Sequence, residues 1–175
     1  MDFNNLVEIH EKEIPGSSIV FTELTRKWCQ LPYENHKKGC PNFNKNDTCP
    51  SRCKYRKDIL EKYDKFTLVY AVFNFQQYKE IRMKEHPDWS EKQAGCVLYW
   101  QSSIKKMLKG HIRHIKYDEM LGTGSGFWKY SSMEAAGIYV FKTLLNNGIR
   151  DFEIKPKTRI FMVVLLMERK SKTMW

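Results

Sequence analysis

The sequence predicts an α/β or α+β fold, a mixed β-sheet packed by helices, with a cysteine-rich loop near the N-terminus. Three observations lead there. The segments Phe66–Phe75 and Arg159–Met167 are rich in Val, Tyr, Phe and Leu and read as buried strands. Between them lie stretches with the three-to-four-residue apolar spacing of amphipathic helices. Residues 28–54 follow neither period and are dense in Cys, Pro, Asn, Gly and Lys. A chain of 175 residues can build one domain around its own core. No repeat or low-complexity linker divides it, so 1–175 reads as a single domain.

The elements follow in order. Pro15 and Gly16 mark a turn, after which Ser18–Leu24 reads as a short strand. Arg56–Tyr63 suits a short helix. Gln76–Glu85 suits another, closed before Pro87, which cannot continue it. Ser90 with Gln93 forms a capping-box pattern that opens a long helix to about Lys116. Its buried side would be Val97, Ile104, Leu108, Ile112 and Ile115, with Gly110 weakening it late. Leu121–Tyr130 is a Gly-rich loop. Ser131 or Ser132 can cap a helix that reaches Asn147, with Gly148 as its stop. Arg159–Met167 is nearly all apolar, which predicts a central strand covered on both faces.

Composition narrows the function classes. The longest apolar run, Ile160–Met167, is too short to span a bilayer, so no membrane association is expected. The acidic N-terminal stretch lacks a signal-peptide pattern, which points to the cytoplasm. Thiols stay reduced there, and the cysteines clustered near the N-terminus, four of the five, then suggest metal or catalysis rather than disulfides. The net charge is +10. Nine Lys or Arg residues lie between Arg26 and Lys57 against only Glu34 and Asp47. Arg26, Lys27, Lys37 and Lys38 could attract nucleic acid or an acidic protein partner. They could equally balance bound thiolates, since a four-thiolate centre carries about −2 charge.

Cys29, Cys40 and Cys49 sit in a polar, basic, Pro-broken loop, where ordinary buried thiols are poorly accommodated. A structureless stretch of that length calls for something to tie it down, and a metal would do so. Thiolates are soft ligands that suit zinc or iron–sulfur. Structural zinc sites favour two short Cys pairs. Only Cys49 and Cys53 form one, while Cys29 to Cys40 spans ten intervening residues and Cys40 to Cys49 eight. A cubane is larger and accepts ligands from separated loop positions. Pro follows both Cys40 and Cys49, as at the end of ferredoxin motifs. The spacing therefore favours a [4Fe-4S]-type cluster over zinc. The alternative is a zinc-stabilised nucleic-acid-binding module without catalysis.

The run Gly39-Cys40-Pro41-Asn42-Phe43, then Cys49-Pro50, resembles an uncharacterised prokaryotic family of predicted metal-binding proteins. Those carry a Cys, a Gly-Cys-Pro-Asn-aromatic segment and Cys-Pro-Pro. Ser132-Met133-Glu134-Ala135 is similar to the family's second segment, and a Gly and a terminal apolar strand follow in both. The resemblance implies a cysteine-bound centre with Cys29, Cys40 and Cys49 as ligands. Ser51 departs from the family's second Pro, and no cysteine lies between Cys96 and Met133, where longer members carry more. The fourth ligand is Cys96, whose thiolate a helix start would favour, or the nearby Cys53. A third arrangement leaves one iron without a protein thiolate.

Other features have plainer readings. His36 could be a ligand or a solvated loop residue. His111 and His114 share a helix face without further metal ligands. Lys105, Lys109 and Arg113 recur every four residues as a basic stripe, which with Tyr99 and Trp100 could meet nucleic acid or form a solvated face. Gly122–Gly126 suggests a phosphate cradle but lacks the Lys-Ser/Thr ending of a P-loop.

Overall fold

The computed structural model describes residues 2–32, 37–123 and 132–169. It is an α+β structure with a four-stranded antiparallel sheet, so the sheet is antiparallel rather than mixed. The strands are β1 (Val7–Ile14), β2 (Lys65–Asn74), β3 (Glu119–Gly122) and β4 (Arg159–Glu168), in the order β1-β2-β4-β3. β4 is interior, and Met162–Met167 are buried without a break, as a strand covered on both faces requires. β3 pairs with it antiparallel, Leu121 opposite Leu165 and Gly122 opposite Val164. β1 was not expected. It buries only Val7 and Ile14 and exposes Glu8, His10, Glu11, Lys12 and Glu13, which suits an edge strand and hides its apolar signal.

The chain divides into two compact units. One comprises 1–11, 69–116 and 150–163, and the other 12–68, 117–149 and 164–175; the division falls within β1, β2 and β4.

The first unit is built on aromatic packing. Phe73 lies 5.3 Å from Tyr78 and 5.5 Å from Trp100, centroid to centroid, and Phe75 also packs on Trp100. α3 (Phe75–Glu85) matches its expected span, with the Asn74 side chain accepting from Gln77 N at its start. The capping box of Ser90 and Gln93 is present, but the helix it opens is short. α4 (Glu91–Ala94) stops at Gly95, a 3-10 turn covers Val97–Tyr99, and α5 (Gln101–Ile112) follows. The break has a packing reason. The Trp100 indole donates to Gly95 O at 3.2 Å, and a Cβ on Gly95 would approach Phe75 to 3.0 Å. Ile104, Leu108 and Ile112 are buried as the periodicity predicts, whereas Val97 is exposed.

In the second unit, Ser18–Leu24 forms no strand. A 3-10 turn (Gly16–Ser18) and a single bridge from Phe21 to Ile138 precede α1 (Leu24–Lys27). The backbone bonds of this stretch go instead to the 137–143 segment, with Thr22 N to Gly137 O at 2.7 Å and Tyr139 N to Val20 O at 2.7 Å. α2 (Ile59–Lys62) is shorter than expected, and α6 (Val140–Asn146) begins later. Residues 133–137 form turns because Gly137 takes φ +93° under the Tyr55 ring, where a Cβ would come within 2.3 Å. Gly148 follows α6 as expected, while the proposed cap Ser131 lies outside the described residues. Among the described residues no helix is long and apolar enough to cross a membrane.

Candidate metal centre

The described residues between 31 and 58 form no helix or strand. Cys29 stands in a 3-10 turn (Trp28–Gln30) that continues α1. Cys40 N donates to Cys29 O at 2.7 Å, drawing the loop back on itself. Gly39 permits that return. It has φ +81°, and a Cβ would lie 2.5 Å from Cys29 O. Phe43 N to Cys40 O (3.0 Å) and Cys49 N to Asn46 O (2.9 Å) close two further turns. The Cys49 thiol donates to Asn42 O at 3.3 Å.

One side chain locks these turns to the rest of the unit. The Arg26 guanidinium donates to Pro50 O at 2.6 Å, Cys53 O at 2.9 Å and Ala135 O at 3.0 Å. Thr25 Oγ1 adds a bond to Glu134 O at 3.0 Å. Two distant segments, the cysteine loop and Ser132–Gly137, are thereby tied to α1. The Arg26 terminal nitrogens are occupied by these backbone carbonyls, and its Nε pairs with Glu23 at 3.2 Å. A lone basic residue carries no local signal of this duty, so the sequence did not disclose it.

The result is a pocket of about 310 Å³ lined by Cys29, Cys40 and Cys49, with Trp28 and Phe43 on its wall. Ser132 and Glu134 line it from the second segment. The described lining contains no lysine or arginine. Burial pushes the Cys29 thiol up in pKa, and the neighbouring charges of Cys40, Glu134 and Cys49 push it further. Thr48 also lines the pocket, and its Oγ1 is buried without a hydrogen-bond partner among the described residues. An orphaned buried hydroxyl costs about 1–3 kcal/mol, and a group bringing sulfur acceptors into the pocket would give it a partner. The pocket thus offers three thiols as soft donors beside the Thr48 hydroxyl, and no lysine or arginine among its described lining. Among the described residues no group of three or more His, Cys, Asp or Glu side chains could hold a metal ion as they stand.

No family model, curated protein or solved structure matches this chain.

The remaining candidates lie elsewhere. The buried Cys53 donates to Lys54 O at 3.2 Å and lines a separate pocket with Arg52 and Arg56. Cys96 belongs to the other compact unit and follows Gly95 between α4 and the 3-10 turn, so it stands outside the first turns of a long helix. Neither lines the three-thiol pocket. Lys27, Lys37 and Lys38 are exposed. Lys105 corrects the expected stripe. It is only 3% exposed on α5, and burial, then Lys109, lowers its pKa, so Lys105, Lys109 and Arg113 do not form one continuous solvated face. Trp100 is likewise buried. His111 accepts or donates at 2.6 Å to Glu11 rather than joining His114 at a metal. His36 and residues 124–126 of the Gly-rich loop lie outside the described residues.

Proposed function

We propose that this protein holds an iron–sulfur centre of [4Fe-4S] type through Cys29, Cys40 and Cys49 and serves redox or sulfur chemistry in the cytoplasm. The observation that carries this reading is the meeting of three thiols, well separated in sequence, on one pocket beside the orphaned Thr48 hydroxyl. Thiolates crowded together repel one another, and a bound cationic centre relieves that repulsion. The pocket's 310 Å³ far exceeds the ~30 Å³ share of one water molecule. The wide spacing of the three cysteines along the chain suits a cluster better than zinc, whose structural sites favour short Cys pairs. When bound, such a cluster supplies one-electron transfer and, at an iron lacking a cysteine, a site for ligand exchange. The exposed Lys27, Lys37 and Lys38 suit an acidic partner on the same unit.

Anaerobic purification followed by iron, sulfide and zinc analysis tests the reading. Iron with acid-labile sulfide and a broad visible charge-transfer band is expected, and Cys40→Ser should lose both colour and iron. Zinc without iron would replace the cluster by a structural ion, with salt-dependent RNA or DNA binding as the next measurement. Protein free of any metal would sink the proposal.

A further inference from the structure

Cys29 and Cys40 share more than a pocket. Cys40 N donates to Cys29 O at 2.7 Å. Residues joined by such bonds in paired strands lie about 5.5 Å apart at Cα, inside the ~4.4–6.8 Å that a disulfide spans. Gly39 sets this register. Its φ of +81° lets the chain return so closely that a Cβ there would lie 2.5 Å from Cys29 O. Both thiols line the same pocket, and both residues are partly exposed. After burial, the neighbouring charge that acts most on the Cys29 thiol is that of Cys40, ahead of Glu134 and Cys49.

The other thiols are placed differently. Spacing alone would pair Cys49 with Cys53. Both are buried, and they line separate pockets. The Cys49 thiol donates to Asn42 O at 3.3 Å and the Cys53 thiol to Lys54 O at 3.2 Å. The Cys49 backbone bonds to Asn46, Arg52 and Cys53 rather than to Cys29 or Cys40. Cys96 belongs to the other compact unit.

We propose that Cys29 and Cys40 are a redox-sensitive pair that forms a reversible disulfide, with a low-molecular-weight disulfide as the oxidant. Each thiol gives up its hydrogen, and one S–S bond forms between Cys29 Sγ and Cys40 Sγ. The S–S bond of the small disulfide breaks in exchange and leaves two small thiols, by way of a mixed disulfide. Excess small thiol reverses the step. In a reducing compartment such a link is transient and redox-sensing rather than structural. The inference does not rest on the iron–sulfur reading, because the link needs two thiols and no metal. A thiolate engaged by metal is withheld from it, so the linked pair and a metal held by these two cysteines exclude each other.

The test uses the full chain, as purified and after a chelator has removed any metal. Each sample is equilibrated with oxidised glutathione, alkylated, digested with trypsin without reductant and read by mass spectrometry. Cleavage after Lys27, Lys38, Lys45 and Arg52 puts each of the four loop cysteines on its own peptide. In the chelated protein the Cys29–Cys40 bridge should dominate, with Cys53 and Cys96 alkylated, and dithiothreitol should remove it. Cys53→Ser should keep the bridge. Gly39→Ala, checked for folding by circular dichroism, should lose most of it although both cysteines remain. A dominant Cys40–Cys49 or Cys49–Cys53 bridge, an unselective mixture, or five alkylated thiols in the chelated wild type would overturn the proposal. A folded Gly39→Ala chain that links as readily as wild type would overturn it as well, since the register would then not select the pair.

Discussion

Strand β4 and the cysteine segment 37–58 are held in place by different forces. β4 is defined by its own side chains: Met162–Met167 are all buried, and Val164 and Leu165 are fully enclosed. Any strand of that composition will seek the middle of a sheet. The cysteine segment has local turns and two buried thiols, and it is tied to the rest of its unit by polar bonds: Arg26 to Pro50 O and Cys53 O, Arg56 N to Ala136 O, and the Arg56 guanidinium to Glu119. A region held by apolar burial should be indifferent to what the pocket contains. A region held by a few polar bonds should depend on each of them, and on any group that binds.

The contrast can be broken from the β4 side first. Leu165→Ala leaves a cavity at a fully buried position and should cost about 3 kcal/mol. Denaturant unfolding with and without the metal centre should give the same loss; a loss confined to one form would mean that the two regions are not distinct.

Next is the ion pair on β3. Arg56 donates to Glu119 at 2.6 and 3.1 Å, and the Tyr63 hydroxyl adds a bond at 2.7 Å. The Arg56 hydrogen bond holds Glu119 below the usual carboxylate range, against burial, with Tyr63 assisting. A depressed folded-state value means that the stabilisation is complete above the unfolded value of about 4.3. It is lost as pH falls through the folded one. Glu119→Gln should therefore cost about 2 kcal/mol at neutral pH and flatten the loss of stability below about pH 4. An unchanged acid limb would remove Glu119 from that titration.

Arg26→Met tests the clamp itself. It frees three carbonyls and should cost about 2 kcal/mol. More tellingly, it should reduce metal retention although every cysteine remains. Retention at the wild-type level would show that the loop finds its position without the clamp.

Thr48→Val sharpens the comparison most finely because the sign of the effect depends on occupancy. In metal-free protein it removes an orphaned hydroxyl and should stabilise by about 1 kcal/mol. In loaded protein it should remove a hydrogen bond to sulfur and lower the midpoint potential. Equal melting shifts in both forms would detach Thr48 from the centre.

Different parts of this molecule were legible in the sequence to different depths. The spans of β2, α3 and β4 follow from apolar runs and from Pro87, and the Ser90–Gln93 cap formed as its pattern indicates. These signals are local, since a strand's composition or a cap's hydrogen bonds involve residues only a few positions apart. Other local readings failed where distant partners intervened. The helix from Ser90 broke at Gly95 because Trp100 and Phe75 close over it. The helix toward Asn147 began late because Tyr55 covers Gly137. β1 escaped notice because an edge strand exposes most of its side chains.

For the candidate site, the sequence by itself determined the chemistry on offer: three thiols in a basic, Pro-broken loop. Only the tertiary structure decided which groups share a surface. It brought Glu134 to the pocket of Cys29, Cys40 and Cys49, and left Cys53 off that surface. The reason is the Arg26 guanidinium, whose bonds to Pro50, Cys53 and Ala135 join residues far apart along the chain. Carbonyl acceptors are present at every residue, so no side-chain pattern marks which of them a cation will choose; packing of the whole unit makes that choice.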